Sequence, residues 1–225
     1  MVPAIGDILP FAVGVALSPV QIIAVIMILF TPQARTNGPA FGAGWLLGLL
    51  VTGGIVIALS DAGDVSSDDS ASDLANAVKL LLGMLLLFGA ARQWQNRPSA
   101  GEEAGMPSWM ASLDTLSLGK AFGLGTLSST VNPKILALTL AAGVSVAQAG
   151  LDAGESFIVL AAYIVLASVT VVGPILYSLL GGASAERTLS DSKDWLMANK
   201  EAVTAVVFLV FGAVLIGQGI CGLAA

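Results

Sequence analysis

Long apolar runs alternate along the chain with short polar interruptions, and the runs have membrane-spanning length. Uncharged stretches cover 8–30, 38–60, 156–185 and 202–225, each longer than the roughly 18 residues that mark a helix able to cross a bilayer. Two further runs carry charge but follow the same pattern. Segment 74–94 holds Lys79 near one end and Arg92 near the other, both placed to snorkel toward the interface. Segment 121–147 holds a single charge, Lys134, within the triplet Asn132-Pro133-Lys134. Six transmembrane helices are predicted. The first has no basic leader, and its apolar run outlasts the core of a signal peptide, so it is expected to be retained.

The triplet is the most informative feature. A lysine at bilayer depth costs about 3 kcal/mol on insertion scales, so it is expected to face the bundle interior or water. Proline removes a helix donor and clashes one turn back, and the residue before it leaves the α region. A broken helix with a cation at the break is therefore predicted, an arrangement tolerated where freed backbone lines a cavity and common at transporter substrate sites. Helix four carries Thr126, Ser129, Thr130 and Lys134 at helical spacing, a polar stripe leading to the break. Helix one carries Ser18 and Gln21 around Pro19. The candidate substrate-binding set is Ser18, Pro19, Gln21, Thr126, Ser129, Thr130, Asn132, Pro133 and Lys134. Two plainer readings stay open: membrane Ser and Thr often bond back to their own helix, and a proline kink can serve packing alone. Gly173-Pro174, with Thr170 and Tyr177 nearby, is a candidate break in helix five.

The two halves echo each other. Ser18-Pro19 in helix one corresponds to Asn132-Pro133 in helix four, and Leu86-Leu87-Phe88-Gly89-Ala90 in helix three to Leu209-Val210-Phe211-Gly212-Ala213 in helix six. Three helices per half is an odd number, so the halves have opposite orientation. The expected fold is an all-α polytopic membrane protein, six helices in a 3+3 inverted repeat with helices one and four broken. Residues 1–95 form the first repeat, 96–119 a cytoplasmic linker and 120–225 the second repeat. Within the linker, Trp109, Met110 and Leu113 suit a short interfacial helix. The glycines of helices two, three and six suit close helix approach.

Basic residues set the orientation. Arg35, Arg92, Arg97, Lys120, Arg187, Lys193 and Lys200 fall on one side, whereas the other has only Lys79, beside the acidic segment 61–73. The basic side is expected to be cytoplasmic, with both termini outside the plasma membrane.

Composition then narrows the function. Hydrophobic residues make up 56% of the chain and charged residues 11%, with a net charge of −6. No histidine is present, and no Asp or Glu lies well inside a span, which argues against a carboxylate or imidazole proton relay. The single Cys221 permits neither an internal disulfide nor a dithiol shuttle. Metal-ligand clusters, a P-loop and a nucleotide fingerprint are missing. No enzyme activity, cofactor or nucleic-acid partner is expected.

These motifs resemble the LysE superfamily of six-helix exporters, in which a proline motif in helix one and Asn-Pro-Lys in helix four recur. Ser18-Pro19-Val20-Gln21, Gly44-Trp45 and the acidic exterior segment look most like the actinobacterial branch named for sulfolipid-1-addressing and glycopeptidolipid-addressing proteins. The helix-one motif departs from the Pro-Gly-Pro form of the amino-acid exporters. What the resemblance implies is outward movement of a polar-headed envelope lipid or glycolipid, with Lys134 meeting an anionic or strongly polar headgroup. Two alternatives remain: export of small amino-acid-like solutes or ions, and an accessory subunit of a lipid synthesis or export complex docking through glycine-lined faces. A homodimer is a further expectation.

Overall fold

The computed structural model describes residues 1–62, 69–95 and 116–223. Its helices are α1 (Val2–Ala16), α2 (Pro19–Leu29), α3 (Ala34–Ala62), α4 (Asp69–Gln95), α5 (Leu118–Thr130), α6 (Pro133–Gln148) and α7 (Ala153–Leu223). No strand occurs among the described residues. Four helical stretches are long and apolar enough to cross a membrane: Ala34–Leu59, Asn76–Gln95, Ala153–Gly182 and Ser184–Leu223. The pairs α1 with α2 and α5 with α6 qualify as bent units, giving up to six crossings if each pair is one span.

Both bends follow from proline. The α1–α2 pair turns by 54° and the α5–α6 pair by 63°. Leu17 closes α1 by donating its N–H to the Val13 carbonyl at 2.9 Å, and Val131 closes α5 on Leu127 at 2.8 Å. The next residue is extended in each case, with φ −102° and ψ 100° at Ser18 and φ −66° and ψ 116° at Asn132. Proline then opens the second helix at its first position, where a missing N–H costs nothing.

Contacts sort the helix ends into two groups. At one end Lys79 Nζ donates to Gln148 Oε1 at 2.6 Å, and the Asp7 charge acts on Lys79. At the other, Asn37 Nδ2 donates to the Leu116 carbonyl at 2.7 Å, and Lys193 Nζ lies 5.7 Å from the Phe30 ring centre. The starts of α3 and α5 therefore share one end, and the start of α4 and the end of α6 the other. Lys79 is 8% exposed and, rather than reaching solvent itself, bonds to the exposed Gln148 at the end of α6. Arg92 is exposed.

Glycine brings two helix pairs into backbone contact. A Cβ at Gly44 of α3 would overlap the Phe122 carbonyl of α5, and one at Gly125 the Phe41 carbonyl. A Cβ at Gly83 of α4 would stand 2.9 Å from the Gly212 carbonyl of α7, and one at Gly212 would stand 3.0 Å from the Gly83 carbonyl. Gly48 faces the Ser129 hydroxyl and Gly89 the Phe208 ring, so these faces are already occupied within the chain. Buried polar pairs add to the packing: Trp45 Nε1 donates to Ser168 Oγ at 3.1 Å, and the Thr139 and Tyr163 hydroxyls lie 2.9 Å apart. Leu180, Phe88 and Val165 turn outward, as lipid-facing side chains do.

Three expectations are corrected. The helix continues through Pro174, and its one non-helical residue is Gly182, at φ 54° and ψ −146°, where glycine tolerates a positive φ at no steric cost. The expected loop around Arg187 and Lys193 is helical, since the limb beginning at Ser184 buries Ala185 and Leu189, one turn apart, with charges on the outside. Segment 61–73 is also helical at both ends, with 63–68 outside the described residues. Linker residues 96–115, including Trp109, Met110 and Leu113, lie outside them as well.

Candidate functional site

The two breaks meet around a pocket of about 250 Å³. From α2 it is lined by Val20, Gln21, Ala24 and Ile28, from α3 by Phe41, and from the α5–α6 pair by Leu124, Ser128 and Asn132. Gln21 and Asn132 therefore face one space although 111 positions separate 21 from 132 in sequence. No charged residue is among the lining groups.

Behind the lining, local bonds shape each break, and groups from elsewhere hold the first. Ser18, 4% exposed, donates its hydroxyl to Gln21 Oε1, which fixes the glutamine against the pocket wall. Asn132 Oδ1 accepts from the backbone N–H groups of Lys134 at 3.1 Å and Ile135 at 3.4 Å, capping α6. α2 has no side-chain cap. At the end of α1, Thr170 Oγ1 of α7 donates to the Ala16 carbonyl at 2.6 Å. Lys134 Nζ donates to the Leu17 carbonyl at 3.1 Å. These bonds satisfy carbonyls that a broken helix leaves without partners, and a cation suits the negative end of a helix dipole.

Lys134 is 4% exposed, and no carboxylate pairs with it among the described residues. An ammonium has three donors, one of which is used on Leu17. Pro19 is buried and Pro133 exposed. The remaining candidates turn along their own helix. Thr126 bonds to the Phe122 carbonyl at 3.1 Å, Ser129 to Thr126 at 2.9 Å and Thr130 to Thr126 at 2.8 Å. The expected stripe does not run through to Lys134, because a 63° bend interrupts the helical period on which it was counted. The pocket instead takes the neighbouring face, Leu124, Ser128 and Asn132, at spacing four. That spacing was available in the sequence, whereas Phe41 and the carbonyl partner of Thr170 had no signal there.

The fold and site define a polytopic membrane protein whose two proline-broken helices enclose a largely apolar pocket edged by amides. The family model of Sap, sulfolipid-1-addressing protein, matches residues 8–221, and the chain belongs to that family. No curated protein and no solved structure matches it.

Proposed function

We propose that the chain is a plasma-membrane exporter that moves a polar-headed envelope lipid or glycolipid outward, holding the headgroup where helices one and four break. The observation that carries this reading is the pocket between Gln21 and Asn132, whose edge is lipid-like. Val20 lines it while being 44% exposed, and Leu17, Leu127 and Val131 beside the breaks are also exposed. A headgroup can occupy such a space while its acyl chains stay in the bilayer. The volume supports partial enclosure, since drug-sized ligands occupy pockets of about 300–1,000 Å³. Two donors of Lys134 remain for an anionic or strongly polar group arriving at the break.

The matching geometry at Ser18-Pro19 and Asn132-Pro133 supports a 3+3 inverted repeat of LysE-superfamily type. The basic end, with Arg35, Lys120 and Lys193, is taken as cytoplasmic, leaving both termini outside. The reading needs no cofactor and gives the chain no catalytic role. A small-solute exporter is the second reading, favoured by the modest pocket volume. An accessory subunit docking through Gly48 or Gly89 is disfavoured, because helices of the same chain cover both.

The test is lipid and metabolite profiling of the cell exterior in strains with no protein, the native chain or Lys134→Met, at matched membrane abundance. Loss of one surface lipid in both defective strains is expected. A change confined to small solutes supports the second reading, and an active Lys134→Met strain removes the break from the mechanism.

A further inference from the structure

The pocket is one-sided. From Gln21 and Asn132 its walls run along α2 through Ala24 to Ile28 and back along α5 to Leu124, all toward the end that carries Asn37 and Lys193. Beyond the breaks in the other direction, α1 and α6 close on one another. Ile8, Phe11, Val15 and Leu138 are at most 1% exposed. A Cβ at Gly14 would meet Leu138 at 2.8 Å and the Phe211 ring at 2.9 Å, so this wall is closely packed.

At the far end of the wall stands a buried cation that the headgroup site does not use. Lys79 belongs to α4 and is 8% exposed, and its ammonium bonds to Gln148 at the end of α6 at 2.6 Å. Asp7 of α1 acts on the same charge. The Lys79–Gln148 bond joins α4 to the end of α6, and α6 is one side of the wall. Its direct acceptor is a neutral amide. Such a bond is strong enough to bias a two-state equilibrium, yet weaker than a desolvated ion pair would be to break.

We infer that Lys79 and Gln148 form an outer clasp, which ties the end of α6 to α4, holds the site shut on the side opposite its pocket and opens when cargo leaves. The inference rests on the carrier reading but not on the identity of the cargo.

The test uses the full chain in sealed vesicles, with the exposed Cys221 changed to serine and Ser18→Cys as a buried reporter. A membrane-impermeant maleimide is applied to the face carrying Asp7. Slow labelling is expected with the clasp intact. Gln148→Leu should speed it by roughly two- to tenfold, the shift that follows loss of one partly exposed hydrogen bond. Gln148→Glu, which offers Lys79 a carboxylate, should slow it below the native rate. A separate Ala149→Cys reporter, exposed at the same end, should label equally in every background and so checks insertion and sidedness. Opposite shifts from one position cannot come from misfolding. Equal rates in all three backgrounds overturn the clasp, as does native labelling as fast from this face as from the other. Cargo takes no part in the readout, so this result and the lipid profile can fail independently.

Discussion

Lys134 and Leu17 are joined across the two halves of the chain, the ammonium of one donating to the backbone carbonyl of the other at 3.1 Å. The bond places the cation of the helix-four break on the open end of the helix-one break, so the first break is held in part by the second half of the chain.

Lys134→Met leaves the Leu17 carbonyl without its partner, a loss of about 1 kcal/mol, and also removes the cost of about 3 kcal/mol of a lysine at bilayer depth. The variant should insert normally, melt no earlier than the native chain in detergent and fail to place its lipid on the cell surface. Thermal unfolding alongside surface lipid profiling checks both halves of the expectation.

Thr170→Val keeps the shape of the side chain and deletes only its bond to the Ala16 carbonyl. A drop in stability of about 1–3 kcal/mol is expected, and Thr170→Ser should recover most of it. If valine and serine melt alike, that hydroxyl does not hold α1.

Asn132 has two duties that substitution can separate. Asn132→Ala removes the cap of α6 and should cost about 1 kcal/mol. Asn132→Asp keeps an acceptor for the Lys134 and Ile135 N–H groups but puts an anion on the pocket wall. Stability should then stay near native while export of an acidic lipid falls, which paired melting and export assays would reveal.

Gly44→Val should be among the most damaging of the glycine substitutions, with Gly125→Val beside it, because each side chain would have to enter a neighbouring backbone, at Phe122 and Phe41. Overpacking typically costs about 1–3 kcal/mol. Gly123→Ala, where nothing lies within 4 Å, should be almost silent. Comparing membrane abundance and melting of these variants is sufficient.

The apolar runs and both breaks were legible in the sequence because each depends on local physics: hydrophobic length, and a proline that acts on its own turn. Lys134 was legible as an anomaly for the same reason. Its partner was not, since a backbone carbonyl carries no sequence signal and Leu17 looks like any other membrane leucine. Of the expected set, Gln21 and Asn132 line the pocket, whereas Thr126, Ser129 and Thr130 bond along their own helix; which face of α5 meets α2 and α3 is set by packing, which spacing in the sequence does not report. Lys79 was expected to snorkel because it lies near a helix start, yet Gln148 offers it an acceptor from another helix. At Pro174 the helix continues, and the reversal falls at Gly182, where backbone freedom outweighs the proline signal.

The contact between Gly83 and Gly212 has a kinematic consequence. Each glycine makes room for a side chain of the other helix, Ile216 at Gly83 and Leu87 at Gly212, with a carbonyl close behind it. Rolling or sliding of α4 on the second limb of α7 would drive these groups together. α3 and α5 interlock in the same way at Gly44 and Gly125, so both glycine seams resist shear while the bends at Ser18 and Asn132 carry no such interlock.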